Sequence, residues 1–174
     1  MTVYELKGKL PEIGEGSYVH ETASVIGDVA IGESSWIGPG ASIRGDYGSV
    51  YIGSETCIED NCVVHAKPYG ACRIGNNVTV GHGAILHGCT IKDWALIGMG
   101  AIVSQDAEIG EWSVIGEGAV VPQGQRIAGR KIAVGVPARI IGEVEEDYTK
   151  KWTEYKSLYP DLAKNVYPKT LKKN

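Results

Sequence analysis

The sequence predicts an all-β fold: a parallel β-helix built of hexapeptide repeats, followed by one C-terminal α-helix. An Ile, Val or Leu recurs about every sixth residue from Ile13 to Ile127, at nineteen positions. Gly follows this aliphatic residue at nine of the positions, and the residue four places after it is usually small. A period of six fits neither the 3.6-residue period of a helix nor the two-residue period of a simple hairpin sheet. Hexapeptide periods are typical of a parallel β-helix.

Each hexapeptide is expected to supply one short strand and one corner, so that three of them close a triangular coil. The aliphatic residues then stack inside the prism, and successive coils lie roughly 4.8 Å apart, as paired strands do. The six-residue spacing is unbroken from Ile13 to Ile43. Three extra residues precede Ile52 and four extra residues precede Ile74, and the spacing of six resumes after each. One later step is a residue short, and the series ends at Ile127.

Beyond the repeats, aromatic residues recur at roughly helical spacing, which predicts a helix between residues 143 and 163 that packs along a wall of the prism. Pro160 is expected to break or kink this helix, and the last ten residues are expected to be loosely ordered. The predicted organisation is a β-helix domain over residues 1–141, with a helix and tail over residues 142–174. The aromatic residues are Tyr148, Trp152, Tyr155 and Tyr159.

Composition excludes several classes of protein. The formal net charge is −4, which gives no electrostatic reason to expect a nucleic-acid partner. No apolar run approaches the ~20 residues needed to cross a membrane, and the amino terminus lacks an apolar signal core, so a cytoplasmic protein is expected. The four cysteines form no C-x-x-C pair, and we interpret them as reduced thiols that fill small spaces in the core. They are Cys57, Cys62, Cys72 and Cys89.

The register of the repeats brings two histidines together. Val64 and Leu86 fall in the same column of the prism on successive coils, so the residues that follow them, His65 and His87, should stack on the outer face. Arg44 precedes them in the same stack. At one coil spacing, the two imidazoles are close enough to bind one metal ion with bonds of ~2.1 Å.

His82 lies in the neighbouring column, directly above Asp60, and should face a different direction from the pair. Three prisms packed around a threefold axis would bring the His82 corner of one chain to the His65/His87 face of the next, so the metal site would exist only in a homotrimer. Two simpler interpretations stay open: chance stacking, or hydrogen bonding across a trimer interface. His20 is interpreted as an ordinary surface residue.

The segments that carry these histidines, together with residues 42–46, resemble the γ-class carbonic anhydrases, which belong to the hexapeptide-repeat left-handed β-helix superfamily. The matching segments are residues 42–46, 59–65 and 80–88, and the resemblance covers about residues 11 to 141. It implies a left-handed β-helix and a metal ion, Zn²⁺ or alternatively Fe²⁺ or Co²⁺, bound by His65 and His87 of one subunit and His82 of its neighbour. The implied reaction is the reversible hydration of carbon dioxide to bicarbonate.

The same resemblance implies roles for five further residues. Arg44 and Asp46 match an ion-pairing motif that either aligns the trimer through a salt bridge between subunits or contacts bicarbonate directly. Asp60 matches an acidic position near the metal, where it could orient the bound water or accept a hydrogen bond. Glu59 stands where Gln is common, and it could shuttle protons or disturb the pKa of the water. Tyr159 resembles a tail tyrosine that reaches toward the site.

Two departures from the family pattern keep other functions open. The loop between the first two histidines, residues 66–73, contains no acidic residue, and Tyr47 stands where the well-studied members have Glu. One alternative is a hexapeptide-repeat acyltransferase that uses coenzyme A, in which a histidine acts as general base without a metal. Such enzymes usually carry a long external loop, whereas the longest excess here is about four residues. The other is a non-catalytic metal-binding trimer.

Overall fold

Twenty short strands wind into a left-handed parallel β-helix in the computed structural model, which describes residues 2–172. The fold class predicted from the period of six is therefore confirmed. The strands are β1 (Thr2–Tyr4), β2 (Glu12–Ile13), β3 (Tyr18–Val19), β4 (Ser24–Ile31), β5 (Trp36–Ile37), β6 (Ser42–Ile52), β7 (Cys57–Ile58), β8 (Val63–His65), β9 (Ala71–Ile74), β10 (Thr79–Val80), β11 (Ile85–His87), β12 (Thr90–Ile91), β13 (Leu96–Ile97), β14 (Ile102–Val103), β15 (Glu108–Ile109), β16 (Val114–Ile115), β17 (Val120–Val121), β18 (Arg126–Ile127), β19 (Lys131–Val134) and β20 (Arg139–Glu143).

Parallel pairing between successive coils creates three walls. The first contains β1, β4, β6, β8, β11, β14 and β17, and the second contains β2, β4, β6, β9, β12, β15 and β18. The third contains β3, β5, β7, β10, β13, β16, β19 and β20. β4 and β6 belong to two walls because each is long enough to continue around a corner. The three-residue excess predicted before Ile52 lies in the corner of β6.

The inward residues form one core along the prism axis. Every aliphatic residue of the hexapeptide series from Val19 to Ile127 is buried, and Ile13 at the open end is partly buried and packs against them. The four cysteines are free and buried, as expected for small core residues. Each buried aliphatic side chain contributes roughly 1.5–3 kcal/mol relative to exposure, so the repeat itself is the main source of stability.

A close approach between coils makes Gly necessary at some corners. At Gly45, inside the corner of β6, a Cβ atom would lie 2.2 Å from the backbone oxygen of Asp28 on the preceding coil. Gly27, opposite Gly45 in the register, has a φ of +78°, which L-residues with a side chain rarely adopt. The long strands β4 and β6 can therefore turn their corner without separating.

The end of the β-helix and the C-terminal segment differ in part from expectation. β20 pairs antiparallel with β19 and spans the predicted boundary between the β-helix domain and the C-terminal segment, at residues 141 and 142. The division into these two parts stays a prediction. The predicted helix is present as α1 (Glu146–Lys156) and α2 (Leu158–Asp161), and it continues through a π-helical turn (Leu162–Val166) into α3 (Tyr167–Thr170).

Of the two expectations for this segment, the break at Pro160 agrees with the structure and the loose order of the last ten residues was wrong. Pro160 lies in the first turn of α2, and α1 ends at Lys156, four residues before it, so the helix is interrupted at Ser157. A proline has no N–H to donate to the carbonyl four residues earlier and its ring crowds that carbonyl. The last ten residues are helical as far as Thr170 because Tyr167 packs on Trp36 and Tyr18 of the third wall. Residues 173 and 174 lie outside the described part. No helix within residues 2–172 is long and apolar enough to cross a lipid bilayer.

Candidate functional site

His65 and His87 stack on the outer face of the first wall, as the register predicted. They are the last residues of β8 and β11, and the two strands pair with His65 directly opposite His87. Their ring centroids are 5.2 Å apart, and the rings are tilted by 34°. Val64 and Leu86, which precede them, are fully buried, so the alternation along each strand turns both imidazoles outward.

Arg44 and Asp46 lie on the coil before this pair. Arg44 is opposite His65 in the register of β6 and β8, and its guanidinium forms an ion pair with the Asp46 carboxylate. Asp46 Oδ1 lies 3.0 Å from His65 Nε2 and also accepts a hydrogen bond from the backbone N–H of Tyr47 at 2.8 Å. Arg44 and Asp46 thus pair with each other within one chain, and the contact extends to His65. The predicted salt bridge between subunits stays a prediction.

These contacts favour an ionised Asp46, and the surroundings of His87 favour its neutral form. Burial raises the pKa of the Asp46 carboxyl, but the hydrogen bonds from His65 and the Tyr47 N–H and the charge of Arg44 outweigh it and lower this pKa to about 2. The pKa of His87 is lowered by burial and by the nearby His65 and Arg44. A neutral imidazole is the form that can accept a proton or bind a metal ion.

His82 lies around the corner, in the turn between β10 and β11. Its Nε2 is 3.1 Å from Glu59 Oε2, and its Nδ1 is 3.6 Å from Asp60 Oδ2. Its backbone N–H also donates to Glu59 Oε2 at 3.1 Å. The side chain is half exposed, so it is available to a second molecule. The predicted separation of His82 from the His65/His87 pair, and its position beside Asp60, agree with this geometry.

Glu59 connects His82 to the C-terminal helices. Glu59 is almost fully buried, and its other oxygen, Oε1, accepts a hydrogen bond from the Tyr159 hydroxyl at 2.6 Å. Burial, together with this hydrogen bond to a carboxylate, raises the pKa of Tyr159 well above its ordinary value. The structure thus brings Tyr159 to the Glu59/His82 corner, and not to the face that carries His65 and His87.

Sequence reasoning missed Lys156, which fixes the same helices in place. Its side chain is 2% exposed, and its Nζ donates to the Val78 carbonyl at 2.7 Å and to Thr79 Oγ1 at 2.9 Å. Both acceptors lie at β10, the strand that leads to His82. A signal existed, because Lys156 is four residues after Trp152 and three before Tyr159, on the helix face that carries the aromatic stripe.

His20 lies at the surface, as expected, where it is partly exposed and also takes part in packing. Its ring packs edge-on against Tyr18 and Tyr167, with centroids 6.3 Å from each, and its Nδ1 is 2.8 Å from Thr22 Oγ1. It therefore helps hold α3 on the third wall, far along the prism from the other three histidines. We assign it a role in packing.

A single chain does not complete a metal site. Within residues 2–172, no group of three His, Cys, Asp or Glu side chains is arranged to hold a metal ion. His65 and His87 offer two imidazoles at a suitable separation, and imidazole nitrogens are ligands that Zn²⁺, Fe²⁺ or Co²⁺ accepts. The residues therefore fit such a metal only if His82 of a neighbouring copy supplies the third imidazole.

Comparison with known proteins places the chain among hexapeptide-repeat proteins, although no family model matches it. It is 39% identical over 147 residues to the carnitine operon protein CaiE of Escherichia coli, a match that covers 84% of this chain and 75% of that protein. It is 31% identical to a solved hexapeptide transferase family protein from Anaplasma phagocytophilum, which covers 93% of this chain and 96% of that one with a TM-score of 0.88. The chain belongs to the hexapeptide transferase family.

Another solved member of similar size is a Bacillus cereus protein that is provisionally named an acetyltransferase. It is 37% identical, covers 98% of both chains and has a TM-score of 0.93. These relatives favour transferase chemistry over the lyase chemistry implied by the resemblance to γ-class carbonic anhydrases, which stays a prediction. They also show that this compact prism, without a long external loop, is shared along its whole length by a protein with a transferase name.

Proposed function

We propose that the protein transfers an acyl group from a coenzyme A thioester, using His65 as general base at a site between the subunits of a homotrimer. The observation that carries this proposal is the contact between His65 Nε2 and Asp46 Oδ1 at 3.0 Å on an outward-facing wall. A carboxylate that holds an imidazole in one orientation is the usual arrangement for a base that must accept and return a proton. Membership in the hexapeptide transferase family supports the same reaction class.

The hydrogen bond assigns the tautomer of His65. Asp46 is ionised and can only accept, so His65 donates through Nε2–H and its Nδ1 keeps the lone pair. During transfer, Nδ1 removes the proton from the acceptor's hydroxyl or amine while that atom attacks the thioester carbonyl. The C–S bond then breaks, and the imidazolium returns the proton to the leaving thiolate. A positioned general base contributes roughly 10²–10⁴ in rate. Asp46 stabilises the imidazolium form of that base.

Acyl-coenzyme A turnover in the presence of a chelator tests this proposal. We expect free thiol to be released by the purified protein with EDTA present, and His65→Ala to lower kcat by at least about 10². His65→Gln is the matched control, because it keeps a hydrogen bond to Asp46 but cannot carry a proton. Equal activity of His65→Gln and wild type would refute the role of His65 as base.

A second candidate, metal-dependent hydration of carbon dioxide to bicarbonate, is favoured by the stacking of His65 and His87 at 5.2 Å. Two of the three imidazoles would come from this pair and one from His82 of a neighbouring copy. When bound there, Zn²⁺, Fe²⁺ or Co²⁺ would supply hydroxide near neutral pH. Arg44 would then orient bicarbonate or align the subunits, and Asp60 and Glu59 would hold the His82 ring.

Metal analysis separates the two candidates. About one transition metal ion per chain, lost in His82→Ala together with hydration activity, would favour the second. A metal-loaded protein without hydration or acyl transfer would indicate the remaining alternative, a non-catalytic metal-binding trimer. Acyl transfer that persists without metal would favour the first.

Mixed trimers test whether a site is shared between subunits, whatever its reaction. His65→Ala and His82→Ala are each expected to be inactive alone. When the two are unfolded together and refolded at equal amounts, three-quarters of random trimers are hybrids, and one of the three interfaces in each hybrid has all three histidines. We therefore expect about one quarter of wild-type activity. No recovery in trimers shown to be mixed would place all the essential groups in one chain.

A further inference from the structure

Tyr69 is almost fully exposed at the tip of the loop between β8 and β9, with a side chain that is 96% exposed. The N–H of Gly70 donates to the carbonyl of Lys67 at 3.1 Å, which closes a tight turn. Pro68 and Tyr69 occupy its two central positions. Tyr69 has a φ of +58°, a conformation that Gly or Asn adopts at lower cost at this position of a turn. The ring of Tyr69 therefore gains little from its own chain in return for an unfavourable backbone.

An open groove of about 280 Å³ between the third wall and the C-terminal helices has the size and lining to receive such a ring. Leu96 and Met99 line it from the prism, and Trp152, Tyr155 and Tyr159 line it from the helices. Tyr155 and Met99 are each half exposed. Tyr, Trp and Met are enriched where proteins contact one another. Since a water molecule occupies about 30 Å³ in the liquid, the groove has room for roughly nine non-hydrogen atoms, enough for one tyrosine side chain.

The order of the walls puts the loop and the groove on opposite sides of the first wall. The loop with Tyr69 lies at the corner between the first and second walls, because it joins β8 to β9. The groove adjoins the corner between the third and first walls, where Gly81 lines it immediately before His82. The width of the first wall thus separates Tyr69 from the groove of its own chain.

A neighbouring copy would bring the two together. In the homotrimer of the proposed function, the His82 corner of one subunit meets the His65 side of the next. His65 is the last residue of β8, and Tyr69 follows it by four residues at the adjoining corner. Glu59, at one end of the groove, directly follows β7 and belongs to the same coil as Tyr69. Subunits related by a threefold axis along the prism therefore hold Tyr69 and this end of the groove at the same height.

The charges of the two surfaces do not oppose this contact. Glu59 and Glu117 line the groove, and no Lys, Arg or His side chain lines it within the described residues. The loop carries Lys67 and Arg73 and no acidic residue, although Lys67 is paired with Asp106 in its own chain. An acidic groove thus faces a loop without negative charge, which favours this pairing over one between like surfaces.

We propose that Tyr69 of each subunit packs in the aromatic groove of the next subunit, beside Tyr155 and Tyr159, and closes the subunit boundary next to His82. The contact rests on the homotrimer of the proposed function, and it supplies the residue that holds neighbouring subunits in that arrangement. It does not depend on which reaction takes place there. Burial of the ring between subunits then offsets the cost of the left-handed backbone at Tyr69.

Cross-linking of introduced thiols tests the contact. The four native cysteines are buried and should not react, so Tyr69→Cys combined with Tyr155→Cys provides one reactive pair at each boundary. We expect bismaleimidoethane to convert this double variant into a covalent trimer on a denaturing gel. Tyr69→Cys combined with Ile140→Cys is the matched control, because Ile140 is nearly as exposed as Tyr155 but lies on β20, away from the groove. Equal yields of covalent trimer from the two combinations, or none from either, would overturn the assignment.

Subunit exchange measures how strongly the ring holds the subunits. We would mix trimers labelled with donor and acceptor fluorophores and follow energy transfer as the subunits redistribute. Tyr69→Asn should exchange at least about tenfold faster than the wild type, because interface substitutions act mainly on dissociation. Tyr69→Phe keeps the ring and should stay within about threefold of the wild type. Asn is favoured at this turn position, so faster exchange could not result from a distorted loop. An unchanged rate for Tyr69→Asn would contradict the contact.

Sedimentation and turnover keep this result distinct from that of the proposed function. A protein that sediments as a monomer would contradict both the contact and a site shared between subunits. A trimer that turns over acyl-coenzyme A but is not cross-linked through Tyr69→Cys would contradict the contact and keep the reaction. A cross-linked trimer without turnover would contradict the reaction and keep the contact.

Discussion

Replacing Lys156 by Met should remove a pH dependence of stability that the wild-type protein shows between about pH 7.5 and about pH 10. The ammonium group is 2% exposed, and burial lowers its pKa from 10.5 to about 8. Between those values the unfolded chain binds more protons than the folded chain, so raising the pH disfavours unfolding. At about 1.36 kcal/mol per pKa unit the total effect is about 3 kcal/mol, of which about 2 kcal/mol falls within the stated range.

At neutral pH the same substitution should change the free energy of unfolding only modestly. Met removes the cost of burying a charge but also removes the two hydrogen bonds of Nζ. The Val78 carbonyl still accepts the backbone N–H of Cys57 at 2.9 Å, so only Thr79 Oγ1 loses its donor, at about 1 kcal/mol. We therefore expect Lys156→Met to equal or exceed the wild type at pH 7.5 and to lose this advantage at pH 10.

Urea unfolding at a fixed chain concentration measures both quantities. The difference in unfolding free energy between wild type and Lys156→Met is the quantity of interest, because thiols and tyrosines titrate in both proteins and largely cancel. Lys151→Met is the matched control, since Lys151 is exposed on the same helix. If the difference between wild type and Lys156→Met is the same at both pH values, the ammonium is not buried as the structure shows.

Three further substitutions give expectations of different kinds. Asp46→Asn should lower kcat of acyl transfer by at least about tenfold with little change in KM, because the charge that stabilises the His65 imidazolium is lost; an unchanged kcat would contradict the role of the pair. Gly32→Ala should destabilise the fold by about 3 kcal/mol or more in urea unfolding, because its Cβ would lie 2.5 Å from backbone atoms of the next coil, whereas Gly142→Ala, with nothing within 4 Å, should not. Leu86→Ala should cost about 2–5 kcal/mol by opening a cavity beneath the histidine pair, and a smaller loss would mean that the coil collapses around it.

The period of six was sufficient to predict the fold and the stacking of the two histidines. Once the aliphatic residues are assigned to the interior, Val64 and Leu86 can occupy only one column, since a shift by one residue would expose the whole set. The outward direction of His65 and His87 then follows from the alternation along a strand, although 22 residues separate them. The four-residue excess between β8 and β9 does not disturb this result because it lies at a corner.

Features outside the repeat could not be predicted in the same way. β1 pairs Val3 with Val25, but Val3 precedes the count that begins at Ile13 and has no periodic neighbours to reveal it. The burial of Lys156 contradicts the usual exposure of lysine and depends on acceptors 77 and 78 residues away in the chain. The reaction could not be settled from the residues either, because one prism supports both acyl transfer and metal-dependent hydration.

The contacts at Glu59 make the C-terminal helices part of the candidate site. One oxygen of this buried carboxylate accepts a hydrogen bond from the Tyr159 hydroxyl, and the other contacts the His82 ring. Glu59 therefore holds both Tyr159 and His82. If α2 moved away from the wall, Glu59 would lose a partner and be left with an unsatisfied buried oxygen, at about 1–3 kcal/mol. Rotation of Glu59 toward solvent would relieve that cost but would release His82. Docking of the helices by Lys156 therefore helps to fix the orientation of His82, although Lys156 and His82 do not touch.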